Sequence, residues 1–166
     1  METLHTIRKW LDRIVGTICI FLFALMVVVG SYQIITRFIF NNPSTISEEL
    51  LTYSFAWIAM FATAYVVGKR DHMRMTFVVD KLAPAQRKVL EIVLEILVIA
   101  FAVIVLIYGG FNIMGLTMTQ KTASLGVMMG QVYAVVPISG ILIAIYGILN
   151  VVDLCKGYER KEEEEK

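Results

Sequence analysis

IVGTICIFLFALMVVVGSYQIIT, residues 14–36, runs for 23 positions between Arg13 and Arg37 without a charge. A helix rises ~1.5 Å per residue, and ~20 mostly apolar residues cross the ~30 Å hydrocarbon layer. The stretch therefore has the length of a membrane span. Residues 18–29 carry no polar stripe at helical period, which a helix buried in a soluble bundle would show. In lipid, an isolated apolar stretch can satisfy its backbone polar groups only as a helix.

The same reading repeats down the chain. No charge lies between Glu49 and Lys69, between Glu95 and Lys121, or between Lys121 and Asp153. Spans are predicted near 14–36, 50–67, 92–115 and 132–152. Composition agrees: 58% of the 166 residues are apolar and 17% are charged, against ~25% charged in soluble domains. The first span has a basic start at Arg8, Lys9 and Arg13, but its core is too long for a cleaved signal peptide and no small-x-small site follows. The fold class expected is an all-α integral membrane protein with four transmembrane helices and short interfacial amphipathic helices. Residues 1–158 form a single membrane domain, and 159–166 is a charged, disordered tail.

Charge distribution sets the orientation. Basic residues concentrate in the N-terminal segment, the 69–88 loop and the C-terminal tail, while the other two loops hold only Arg37 and Lys121. Basic loops favour the cytoplasm. All three basic segments fall on one side of four spans, so both termini are expected to be cytoplasmic. Cys19 lies inside the first span and Cys155 just beyond the fourth, so no disulfide is expected.

The connecting segments add detail. Leu4, Ile7, Leu11 and Ile14 follow helical spacing, with Trp10 beside them and Arg8, Lys9, Asp12 and Arg13 on the other face. This predicts an interfacial helix before the chain turns into the bilayer. Trp10, Arg13, Lys69 and Arg70 are the expected interface anchors. Met75, Val78, Val79 and Leu82 predict a second interfacial helix over 73–82, with Pro84 opening the next. Asn41, Asn42 and Pro43 end the first span, and Thr45 with Glu48 fits a capping box. Glu48 and Glu49 sit in the first turn of the second helix, where the dipole favours acids. Arg37 stands near them, so an Arg–Glu tie between spans one and two is expected. Glu95, the deepest acid, is expected to reach the interface, to pair along its own helix, or to face a partner protein. Trp57 reads as a packing residue. The glycines at 109, 110, 115, 126 and 130 suit close helix approach and a flexible turn.

No nucleotide, hydrolase or metal motif is present, and no catalytic residue, metal ligand, cofactor or nucleic-acid partner is expected. Transporters place ionisable groups inside their spans, and here every span is uncharged at its middle. A small multidrug exporter would need an acid in a span, and a redox subunit would need paired histidines at membrane depth; His5 and His72 both lie outside. The chain reads as a membrane subunit that packs against something larger.

The runs Arg37-Phe38, Asn42-Pro43, Ser47-Glu48-Glu49 and Gly68-Lys69-Arg70-Asp71-His72, together with the length and span pattern, resemble the small membrane (Q) subunit of tripartite ATP-independent periplasmic (TRAP) transporters. Members often carry an aromatic residue before the Ser-Glu-Glu run, where this chain has Ile46. The resemblance implies a scaffold role. Its implied partners are a large multi-span subunit holding the substrate and sodium sites and a periplasmic binding protein delivering an organic acid, a C4-dicarboxylate or sialic acid. By the same resemblance Arg37, Glu48 and Glu49 organise the periplasmic side, and His72 and Arg74 are contact residues in a basic loop that otherwise touches lipid headgroups.

Overall fold

The computed structural model describes residues 2–69 and 84–155. Helix α1 runs over Glu2–Phe38 and α2 over Thr45–Lys69. The third span is composite: α3 (Pro84–Phe101), a π-helical segment (Ala102–Gly109) and α4 (Gly110–Thr117). A loop with one antiparallel bridge, Lys121 to Met128, leads to α5 (Met129–Tyr133) and α6 (Val135–Cys155). Four stretches are long and apolar enough to cross a membrane: Thr6–Phe38, Thr45–Lys69, Val89–Thr117 and Met129–Leu154. Each contains one predicted span and extends past it at both ends.

The helices are apolar because their solvent is apolar, and their few hydroxyls are satisfied internally. Thr17 donates to the carbonyl of Arg13 at 2.7 Å, Ser31 to that of Val27 at 2.8 Å and Thr63 to that of Ala59 at 2.8 Å. Each bond returns one turn back, so these side chains face hydrocarbon without an unpaired donor.

The last span is the axis of the packing. Half of its most apolar window is buried, against 6% in the first and third spans. Helix α6 packs on α2 and on the third span, and α1 packs chiefly on α2. One core cluster joins Ala64, Val67, Ala102, Ile143 and Tyr146, and a second joins Val15, Phe61 and Val135. The flanks of α1 and of the third span carry bulky exposed residues, such as Ile20, Phe21, Val28, Ile104 and Leu116.

Two irregularities face one another. Pro137 lacks the N–H that would bond back to Tyr133, and the last span breaks at Ala134, between α5 and α6. Opposite it the third span widens into the π segment. A Cβ added to Gly110 would fall 2.9 Å from Pro137, and one on Gly140 would fall 2.7 Å from Leu106. The backbones meet where glycine permits it.

Three expectations are corrected. The first interfacial helix does not exist as a separate element: α1 is continuous over 37 residues, about 55 Å at helical rise. Nothing in 4–14 breaks the helix, and two of its polar residues, Arg8 and Asp12, have partners inside the bundle. The α2 cap lies one residue earlier than the capping box requires. The Ser44 side-chain oxygen accepts the Ser47 N–H at 3.4 Å, and Glu48 N–H bonds to the Ser44 carbonyl at 3.3 Å. The third residue of the helix is therefore Ser47, not an acid. The third span is not one uniform helix. Asn41 does end α1, in a left-handed conformation with φ 49°, which asparagine tolerates. The 73–82 helix and the 159–166 tail lie outside the described residues.

Candidate functional site

Polar side chains gather at the two ends of the bundle. At the end carrying the helix start of α1, Arg8 is buried, with 8% of its surface exposed. Its guanidinium donates to the Asn150 carboxamide oxygen at 2.6 Å and pairs with Asp153 at 3.2 Å. The Asn150 amide donates to the Val67 carbonyl and to the Glu95 carboxylate, each at 3.1 Å. One turn deeper, the Tyr146 hydroxyl donates to Asp12 at 2.8 Å. Gly68 lies flat on that ring, where an added Cβ would come within 2.7 Å.

This node joins α1, α2, α3 and α6. Asn150 and Tyr146 have no exposed surface. A charge buried here is tolerated because it is paired and hydrogen-bonded. Glu95 is thereby linked across helices to α6. The sequence signal for the node was the spacing of Tyr146, Asn150 and Asp153 at i, i+4 and i+7, one face of α6.

The opposite end is held by Glu49. Its carboxylate accepts the backbone N–H groups of Ala123 at 3.0 Å and of Ser124 and Leu125 at 2.8 Å each. The Tyr53 hydroxyl adds a fourth bond at 2.8 Å. The loop is closed by its own bonds, Thr122 N–H to the Val127 carbonyl at 2.8 Å and Val127 N–H to the Thr122 hydroxyl at 3.0 Å. Gly126 takes the turn at φ +68°, a conformation that favours glycine. One turn deeper than Tyr53, the Trp57 indole N–H bonds to the Val132 carbonyl at 3.0 Å, at the break in the last span. Trp57 is thus a hydrogen-bonding tie between α2 and α5, beyond simple packing.

The remaining predicted residues take simpler places. Arg37 is exposed and sits over the Phe38 ring at 5.8 Å. Among the described residues no ion pair joins it to Glu48 or Glu49; Glu49 turns to the 123–125 amides instead. Glu48 is exposed in the first turn of α2. Trp10 and Arg13 are exposed on α1, and Lys69 lies over the Tyr65 ring at 5.0 Å. Arg70, His72 and Arg74 lie outside the described residues. Among the described residues no group of His, Cys, Asp and Glu could hold a metal ion.

The bundle turns Arg8, Asp12, Glu49, Glu95 and Asn150 on itself at its ends and leaves the middle of every span uncharged. The family model for the DctQ component of tripartite ATP-independent periplasmic transporters matches residues 26–157. The chain belongs to the DctQ family. The matched region begins about two-thirds of the way along α1 and takes in the Glu49 clasp and most of the node, though not Arg8 and Asp12. This DctQ-family chain is 29% identical over 158 residues to the sialic acid TRAP transporter small permease protein SiaQ of Vibrio cholerae, covering 92% of this chain and 88% of that one. It is also 24% identical over 142 residues to the sialic acid TRAP transporter permease protein SiaT of Haemophilus influenzae. That alignment covers 86% of this chain but 22% of SiaT. The family is one of transporter subunits, and this chain is a small TRAP permease.

Proposed function

We propose that this small permease is the scaffold subunit of a sodium-coupled TRAP transporter in the bacterial inner membrane, importing an organic acid. Its partners are a large multi-span permease subunit and a periplasmic substrate-binding protein. Both termini face the cytoplasm, and lipid surrounds the bundle. The substrate class is a sialic acid or C4-dicarboxylate, with sialic acid favoured by the names of the relatives SiaQ and SiaT.

The observation that carries this reading is the SiaT alignment, in which most of this chain corresponds to about a fifth of a longer permease. A unit found inside a larger permease in one protein and as a separate chain here is suited to associate with the remainder. The uncharged middle of each span supports a scaffold: charged solute and sodium need ionisable or carbonyl ligands at membrane depth. The contact of Arg8 with Asp153 supports the orientation, because it brings the starts of α1 and the end of α6 to one side, the side richest in lysine and arginine.

Arg37, Glu48 and Lys121 face outward at the opposite end and suit a docking surface for the binding protein, as His72 and Arg74 suit contacts on the basic side. The test is purification of the tagged chain from native membranes in mild detergent with mass spectrometry of what accompanies it. A larger multi-span permease in near-equal amount is expected. Purification alone, with solute bound directly to this chain, would sink the scaffold role.

A further inference from the structure

The register between α1 and α2 lays out a groove with a charged mouth. Gly16 faces Tyr65, with a Cβ added at Gly16 falling 3.8 Å from the ring, and Gly30 faces Leu51 at 3.9 Å in the same sense. The two helices are antiparallel, and these pairs fix which positions share a level. Arg13 stands level with the last turn of α2, where Lys69 lies over the Tyr65 ring at 5.0 Å.

Each helix presents one line of residues along this groove. On α1, Lys9, Arg13, Gly16 and Ile20 recur at i, i+4, i+7 and i+11, so they lie along one face. On α2, Lys69, Tyr65, Ala62 and Ile58 recur at the same intervals in the reverse direction. Read inward from the end of the bundle, α1 gives two cations, a glycine and a branched aliphatic, and α2 gives a cation, the Tyr65 ring, an alanine and a branched aliphatic. Lys9 and Arg13 are exposed, Ile20 is 72% exposed, and Trp10 stands beside them at 61%.

We propose that this groove binds an anionic phospholipid. Its phosphodiester would sit among Lys9, Arg13 and Lys69, and one acyl chain would run over Gly16 and Ala62, beside the Tyr65 ring that lies 3.8 Å from a Cβ placed on Gly16. Charge selects the occupant: Arg13 and Lys69 stand near one level with Lys9 one turn further out, and basic residues at a membrane boundary attract anionic lipids. The groove selects a lipid over a soluble anion, because the cations are followed inward by Tyr65, Gly16, Ala62 and the exposed Ile20. Arg8 takes no part, being turned inward to Asn150 and Asp153.

The test uses the full chain in nanodiscs containing equal phosphatidylglycerol and phosphatidylethanolamine with matched acyl chains, followed by native mass spectrometry of the lipids retained. Both leaflets are present, so the result does not depend on orientation in the cell. The wild type is expected to retain one phosphatidylglycerol in clear preference. Lys9→Ala and Arg13→Gln are each expected to lower that preference about fivefold, and Arg13→Lys to keep most of it. Arg37→Ala, which removes an exposed cation at the other end, is expected to leave it unchanged. Lys9 and Arg13 are exposed, and unchanged thermal unfolding of their variants confirms an intact fold. Equal retention of both lipids, a preference that survives Lys9→Ala with Arg13→Gln, or an equal loss in Arg37→Ala overturns the proposal. Displacement of the lipid by millimolar inorganic phosphate also overturns it, since the site would then be one for small anions.

Discussion

The carboxylate of Glu49 accepts the backbone N–H of Leu125 at 2.8 Å, across 76 residues of sequence. With the amides of Ala123 and Ser124 it forms a nest, a concave set of backbone donors closed on a carboxylate. An acid one turn into α2 thereby shapes the loop that leads to the last span.

Glu49→Ala is expected to release the loop without unfolding the bundle. Hydrogen exchange at the amides of residues 123–125 should rise by at least an order of magnitude, while amides in the middle of α6 keep their protection. Glu49→Gln retains an acceptor oxygen and should fall between. Unchanged exchange in Glu49→Ala would mean that the bonds inside the loop suffice.

The Arg8–Asn150 contact should register as coupling. Asn150→Leu leaves the guanidinium and Glu95 without a shared partner and is expected to cost about 2 kcal/mol. Hydrogen bonds between membrane helices average less than their soluble counterparts, so a double-mutant cycle of Arg8→Ala with Asn150→Ala should give about 1 kcal/mol of interaction. Reversible unfolding in mixed micelles measures both, and strict additivity would show that the two side chains act independently.

Gly68 and Gly115 make a matched pair. A Cβ at Gly68 would fall 2.7 Å from the buried Tyr146 ring, while Gly115 has nothing within 4 Å. Gly68→Val should therefore lose about 2 kcal/mol by overpacking. Gly115→Ala should gain about 0.5 kcal/mol, since alanine restricts the unfolded chain and suits a helix. Thermal unfolding of the two variants, side by side, checks the contrast.

The two tryptophans report on different surroundings. Trp57→Phe removes the indole donor to Val132 and is expected to cost about 1 kcal/mol. The remaining emission then comes from Trp10, which is 61% exposed. If Trp10 lies at the headgroup boundary, lipids brominated near the carbonyl should quench it more strongly than lipids brominated near the chain end. The reverse order would place it deep in the hydrocarbon.

The spans were legible because hydrocarbon thickness demands a fixed length of uncharged chain, and that demand is written directly in the spacing of Arg13, Arg37, Glu49 and Lys69. The partners of the polar residues were not. Arg8 reads as one more basic residue at a membrane boundary, since nothing local says that Asn150 and Asp153 will stand opposite it. Arg37 and Glu49 are neighbours along the chain, yet helix geometry aims Glu49 at amides that arrive 74 to 76 residues later. The π segment has no strong local signature either: Gly110 and Pro137 are visible in sequence, but their meeting depends on two separate spans.

Synthesis imposes an order on these contacts. Arg8 leaves the ribosome before Asn150, which follows 142 residues later. At translation rates of 5–20 residues per second that interval is roughly 7 to 30 s. An unpaired guanidinium resists entry into lipid, so the first turns of α1 stay at the aqueous boundary until the last span arrives. A chain interrupted after the third span would keep Arg8 and Glu95 without Asn150. The contact that closes the bundle at this end therefore forms only after the last span has joined the first three.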